Sequence, residues 1–125
     1  MVRKNKLVVE ADIVCCGQNI KTKRVSKDLE EEVKVGRHTS NDIEIPENSY
    51  FEGVSRYHCT FFMIENNVFV RNTSSTNTWI LRQGRGDNIN LIKVKSDTKL
   101  NPSGDIILIW GRTGKVVLTA QTLYL

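Results

Sequence analysis

Three short polar clusters carry the chemistry this chain has to offer. Gly36-Arg37 opens the first, within the run Val35 to Ile43. Ser55-Arg56-Tyr57-His58 forms the second, and Ser74-Ser75-Thr76-Asn77-Thr78 the third. Arginine presents a planar fork of donors suited to carboxylate or phosphate. Serine and threonine add hydroxyl donors. Each cluster borders an alternating apolar run, which puts all three in loops at strand ends. Brought to one rim, Arg37, Ser55, Arg56 and the hydroxyls of the third cluster would hold an anion.

Other chemistry fits these residues less well. A Ser55 nucleophile with His58 as base needs an orienting acid and an oxyanion hole. The chain has no Gly-x-Ser-x-Gly elbow, and no residue stands out as the acid, so no enzyme activity is expected of this segment. His58 also reads as a structural histidine whose ring ties down loop backbone. A metal site on His38, His58 and Cys59 is disfavoured, because neighbouring strand residues point to opposite faces. Cys15, Cys16 and Cys59 are odd in number and lack Cys-x-x-Cys spacing, so neither a disulfide framework nor structural zinc is expected. No cofactor is implied.

The elements that must position the clusters are short and β-rich. Turn residues recur every eight to twelve positions, the rhythm of a sandwich or barrel. Strands are expected over residues 6–16, 20–26, 33–35, 43–45, 57–64, 68–71, 79–81, 89–94, 106–110 and 115–125. Gly17-Gln18-Asn19 and Asn66-Asn67 read as turns, as do the polar loop around Arg85-Gly86-Asp87 and the run Asn101 to Asp105. A helical turn is conceivable only over residues 26–32. Longer segments show no 3.6-residue period. The fold is therefore all-β, with a two-sheet antiparallel sandwich favoured over a closed barrel.

The totals bound the partners. One domain accounts for all 125 residues, with a core over roughly 7–120. Hydrophobic content of 39% and charged content of 26% are ordinary for a globular chain. A net charge of +4 and a pI near 9.1 fit anionic partners without selecting one. Glu10 and Asp12 interrupt the apolar stretch near the start, so no secretory h-region forms. The longest strongly apolar run, Ile106 to Trp110, is far too short to span a membrane. An intracellular protein with no membrane partner is expected.

Together the clusters resemble the forkhead-associated (FHA) domain, a phosphothreonine-binding β-sandwich with ligand loops at one end. The resembling elements are Gly36-Arg37, then Ser55-Arg56-Tyr57-His58, then Ser75-Thr76-Asn77-Thr78. Asn41-Asp42-Ile43-Glu44-Ile45 and Gly104-Asp105-Ile106-Ile107 add to the likeness. By that resemblance Arg37, Ser55, Arg56 and Thr76 hold the phosphate. Asn77 bonds the peptide backbone, and Gly36 and His58 shape the loops. The implied partner is a phosphothreonine-containing protein or peptide, in signalling or a DNA-damage or cell-cycle response, with a nuclear setting favoured. No small-molecule substrate is implied.

Two departures accompany the resemblance. The glycine expected after Asn77 is missing, so the turn is one residue shorter or Thr78 adopts an uncomfortable conformation. The segment from Pro46 to Gly53 is long, and its Tyr50 and Phe51 read as peptide contacts. Two other functions compete with phosphothreonine binding. One is a phosphate-independent interaction module on the same fold. The other, weaker, is a nucleic-acid binder suggested by Lys93, Lys95 and Lys99, yet the aromatics that would stack on bases lie mostly inside strands.

Overall fold

The computed structural model describes residues 5–74, 78–102 and 104–123. Eleven strands are described: β1 (Lys6–Cys15), β2 (Gln18–Asp28), β3 (Val33–Gly36), β4 (Ile43–Glu44), β5 (Cys59–Ile64), β6 (Asn67–Asn72), β7 (Thr78–Gln83), β8 (Ile89–Lys93), β9 (Thr98–Lys99), β10 (Ile106–Trp110) and β11 (Gly114–Leu123). They form two sheets. One runs β2-β1-β11-β10-β7-β8 and the other β4-β3-β5-β6-β9. The expected sandwich is present. Its pairs are antiparallel except β3–β4, where Val35 lies beside Ile43 in parallel.

Period-two alternation explains the core. Leu7, Val9, Ala11 and Ile13 of β1 are buried alongside Ile107, Ile109, Val116 and Leu118 of their own sheet, in one cluster with Phe61 and Val70 of the other. Alternate side chains of a strand share a face, so these runs each supply one wall. Strand β2 is almost wholly exposed, which is why its pattern is weak. Pairing holds it, since it hydrogen-bonds along the whole of β1 from Lys6–Asp28 to Cys15–Gln18.

Several local expectations shift. Residues 26–28 continue β2 and make no helical turn, because Ser26 and Asp28 pair with Val8 and Lys6. Among the described residues one 3-10 turn occurs, Ser49–Phe51, capped by the Asn48 side chain. The first hairpin turns at Cys16-Gly17, one residue early, with φ of 55° and 76°. The second turns at Glu65-Asn66, also one residue early, with φ of 49° and 66°. Two positive φ values at a two-residue turn match the twist of the flanking strands. The Arg85-Gly86-Asp87 tripeptide lies in the β7–β8 turn, where the Gln83 side chain bonds the Gly86 carbonyl at 2.8 Å.

Register sets the functional end. Val35 of β3 lies beside Cys59 of β5, and Cys59 beside Asn72 of β6. Thus β3 ends, β5 begins and β6 ends at one level. The three polar clusters leave the sheet from that level.

Candidate functional site

Backbone bonds lace the first cluster onto the second. The Arg37 amide donates to the Ser55 carbonyl at 3.1 Å, and the His38 amide to the Arg56 carbonyl at 3.1 Å. The His58 amide donates to the Val35 carbonyl at 2.8 Å. Gly36 makes this approach possible by lacking a side chain. A Cβ there would overlap the Arg56 carbonyl and lie 2.9 Å from the Asn41 amide nitrogen. The need is close approach, and no left-handed φ is involved.

Asn41, which the sequence offers only as the start of the resembling run through Ile45, is a hub. Its Nδ2 donates to the His38 carbonyl at 2.9 Å and to the Arg56 carbonyl at 2.7 Å. It is buried, and among the described residues its Oδ1 has no partner. The next residue, Asp42, accepts from the Lys34 amide at 2.8 Å and pairs with Lys27 at 2.9 Å. Burial works to raise the Asp42 pKa, but the Lys27 ammonium and the Lys34 amide outweigh it and hold the carboxyl below its ordinary value. The His38 ring accepts from the Ser40 amide at 3.0 Å and stacks on Tyr57 with centroids 5.2 Å apart.

His58 is bonded to loop backbone on two sides. It is completely buried, and its Nδ1 accepts from the Ser55 amide at 3.1 Å. Its carbonyl accepts from the Thr73 amide at 3.0 Å, which joins the second cluster to the third. A ring nitrogen committed to the Ser55 backbone is not aimed at the Ser55 hydroxyl as a base. Among the described residues no group of three or more His, Cys, Asp or Glu can hold a metal. Cys59 is buried, and that burial pushes its thiol up to about 12.

The two arginines differ. Arg37 Nε donates to the Val54 carbonyl, which holds the guanidinium beside the residue preceding Ser55. Its Nη1 lies 3.4 Å from the Glu47 carboxylate. Arg56 is exposed, and among the described residues its guanidinium enters no ion pair. Ser55 is half-buried.

The third cluster is described at its two ends. Thr76 and Asn77 lie outside the described residues. Asn72 gathers both flanks: its Oδ1 accepts from Ser74 Oγ at 2.6 Å and from Thr78 Oγ1 at 2.9 Å. Thr73 Oγ1 donates to the Tyr57 carbonyl at 2.9 Å. Thr78 is the first residue of β7, fully buried and without a positive φ. The absent glycine is therefore not replaced by a strained threonine. An asparagine at a strand end before a hydroxyl-rich turn was the available signal for Asn72.

The long segment also differs from expectation. Phe51 is fully buried in the core and cannot touch a ligand, whereas Tyr50 is exposed. Gly114 packs against the Phe51 ring, and the Thr113 amide donates to the Tyr50 carbonyl at 3.0 Å. The segment is pinned at both ends, leaving Glu47 near Arg37.

A β-sandwich with cationic and hydroxyl-bearing loops laced together at one end is a binding module. The chain belongs to the FHA domain family, whose model matches residues 33–109. No curated protein sequence matches it significantly. Solved structures agree on the fold. The FHA domain of an Arabidopsis thaliana hypothetical protein is 18% identical with a TM-score of 0.61, covering 96% of this chain and 87% of that one. The FHA domain of the Chlamydia trachomatis CT664 protein is 15% identical with a TM-score of 0.57, covering 91% and 96%. Mycobacterium tuberculosis EmbR, in complex with a low-affinity phosphopeptide, is 20% identical with a TM-score of 0.57, and the match covers 91% of this chain and 24% of EmbR. Among the described residues no helix is long and apolar enough to cross a membrane.

Proposed function

We propose that this domain binds phosphothreonine-containing segments of partner proteins. Arg37, Ser55, Arg56 and Thr76 hold the phosphate, and Asn77 bonds the peptide backbone. The observation that carries the reading is the lacing of Gly36-Arg37-His38 onto Ser55-Arg56 by backbone hydrogen bonds, which brings the two arginine-bearing loops side by side. The family supports it, and so does EmbR, which shares the fold and was solved with a phosphopeptide.

A phosphothreonine carries close to two negative charges and three strong acceptors. Hydrogen bonds to charged groups contribute about 1.5–3 kcal/mol net each. Three or four of them offset the cost of association and leave micromolar affinity, about −8 kcal/mol. The wider role is recruitment of phosphorylated partners in signalling. A DNA-damage or cell-cycle setting, with nuclear residence, is the form the family resemblance favours.

The test is titration of phosphothreonine peptides, paired with their unphosphorylated forms, against wild type, Arg37→Ala and Ser55→Ala. Circular dichroism checks each fold. Both variants are expected to lose phosphate-dependent binding while staying folded. Retention of that binding in both defeats the site assignment. Capture of partners regardless of phosphatase treatment supports the phosphate-independent module instead.

A further inference from the structure

We infer that Glu47 is an internal occupant of the Arg37 guanidinium, and that, once displaced by a phosphate, it selects ligands carrying a lysine or arginine close to the phosphothreonine. This rests on the phosphothreonine reading above.

The geometry fixes both partners of the pair. Arg37 Nε is committed to the Val54 carbonyl, so the fork is anchored at that edge and its Nη groups are left for other acceptors. Nη1 meets Glu47 Oε1 at 3.4 Å. Glu47 itself cannot wander far. Two residues before it, Ile45 is buried and its amide donates to the Gly36 carbonyl at 2.9 Å. Immediately after it, Asn48 caps the 3-10 turn by accepting from the Tyr50 amide at 3.0 Å. Phe51 then anchors the turn in the core. A carboxylate on so short a tether acts at high effective concentration.

The consequence for a ligand follows from charge. A phosphate must take Arg37 from Glu47. The pair is long, and the Glu47 side chain is 67% exposed, so the exchange is easy. An exposed ion pair of this kind weakens a competing ligand only about two- to five-fold. After the exchange Glu47 has lost its cation and stands beside a nearly dianionic group. The hollow at this point is lined by Arg37, Glu47, Asn48, Ser49, Glu52 and Gly53. Among the described residues Arg37 is its one lining cation, and it is now spent. Glu52 already faces Arg112 at 3.6 Å. A basic side chain on the bound peptide supplies the charge that Glu47 lost, whereas an acidic one adds to the repulsion.

The experiment uses one phosphothreonine peptide in three forms, with lysine, glutamine or glutamate scanned through the positions flanking the phosphothreonine. Affinities are measured for wild type, Glu47→Gln and Glu47→Lys. Wild type is expected to rank lysine above glutamine above glutamate at one or more positions. In Glu47→Gln the ranking collapses, and the glutamine peptide binds about two- to five-fold tighter because the competitor is gone. In Glu47→Lys the ranking inverts. Glu47 is exposed, so melting temperatures should match wild type. Phosphate-dependent binding with no charge ranking in wild type, or an unchanged ranking in Glu47→Gln, overturns this inference alone. Absence of phosphate-dependent binding by wild type to every peptide overturns the phosphothreonine reading, and the inference with it.

Discussion

Gly36 faces the carbonyl of Arg56 so closely that any Cβ would lie 2.6 Å from the carbonyl carbon. This contact joins residues far apart in the chain and sets the gap between the two arginine-bearing loops.

A Gly36→Ala substitution must therefore push the second cluster away from the first. Overpacking of this kind costs about 1–3 kcal/mol. The His38–Arg56 backbone bond and the Asn41 bonds to the same carbonyl would stretch together. The expected outcome is a lower melting temperature and loss of phosphopeptide binding in protein that is still folded. Calorimetry and peptide titration check it. Wild-type affinity in Gly36→Ala would mean that the spacing of the loops does not matter.

Asn41 supports the same geometry from the other side. Its amide nitrogen bridges two carbonyls, one in each loop. Asn41→Asp keeps the shape but removes both donors, and it brings a carboxylate close to two carbonyl oxygens. Leaving buried polar groups unsatisfied costs about 1–3 kcal/mol. We expect Asn41→Asp to be destabilised by that order and to bind peptide more weakly than wild type at pH 7. Amide exchange should rise at Arg37 and His38. Unchanged exchange at those two amides would show that Asn41 does not hold the loop.

Much of the sandwich is legible in the chain because burial and the two-residue period coincide there. Val33 and Val35, Cys59 and Phe61, Ile107 and Ile109 each mark one wall. The failures have physical causes. Strand β2 carries little apolar pattern because hydrogen bonds to β1 hold it, with little burial. Strand β9 has two residues, too few to show any period. The two hairpin turns sit on Cys16 and Glu65, which adopt positive φ under the demand of strand register and against their own preference. Local sequence points to Asn66-Asn67 and Gly17-Gln18-Asn19, and register overrides it.

The candidate site was legible in its donors and silent in its supports. Arg37, Ser55 and Arg56 are visible because their types suit an anion. Asn41, Asn72 and Glu47 are ordinary polar residues in polar runs, and only folding shows that each meets a specific partner. Phe51 was misread because an aromatic in a polar segment looks exposed. Its ring instead fills the space that Gly114 leaves beside it.

Acid should act on this domain in two separable ways. Burial opposes ionisation of Asp42, but Lys27 and the Lys34 amide hold its pKa below 3.8. Arg71 likewise lowers the pKa of Asp97 by a side-chain hydrogen bond. A carboxyl depressed in the folded state contributes stability above its ordinary pKa, and that contribution is lost as pH falls through the folded value. The Asp42 hydrogen bond raises Lys27 above 10.5, so its contribution is complete below that pH and is lost only in strong alkali. Melting temperature should therefore be flat near neutrality and fall below about pH 4. Asp42→Asn should show a shallower acid limb than wild type. Peptide affinity should decline earlier, near pH 6, because the phosphate gives up its second charge there. Coincident loss of affinity and stability on acidification would argue against this separation.

The Cys16-Gly17 turn offers a test in the opposite direction. Both residues take positive φ, 55° and 76°, in a two-residue connection between β1 and β2. Glycine tolerates this freely, whereas a left-handed conformation costs an ordinary side chain about 1–2 kcal/mol. Asparagine relieves part of that cost, and Asn-Gly is the preferred pair in such turns. Cys16 is exposed, and its thiol is 3.6 Å from Cys15, a weak contact at best. Cys16→Asn should therefore stabilise the domain by about 0.5–1 kcal/mol. For a chain of this length that corresponds to a rise of roughly 2–5 °C in melting temperature. A fall in melting temperature would mean that the cysteine thiol contributes more at this turn than its geometry implies.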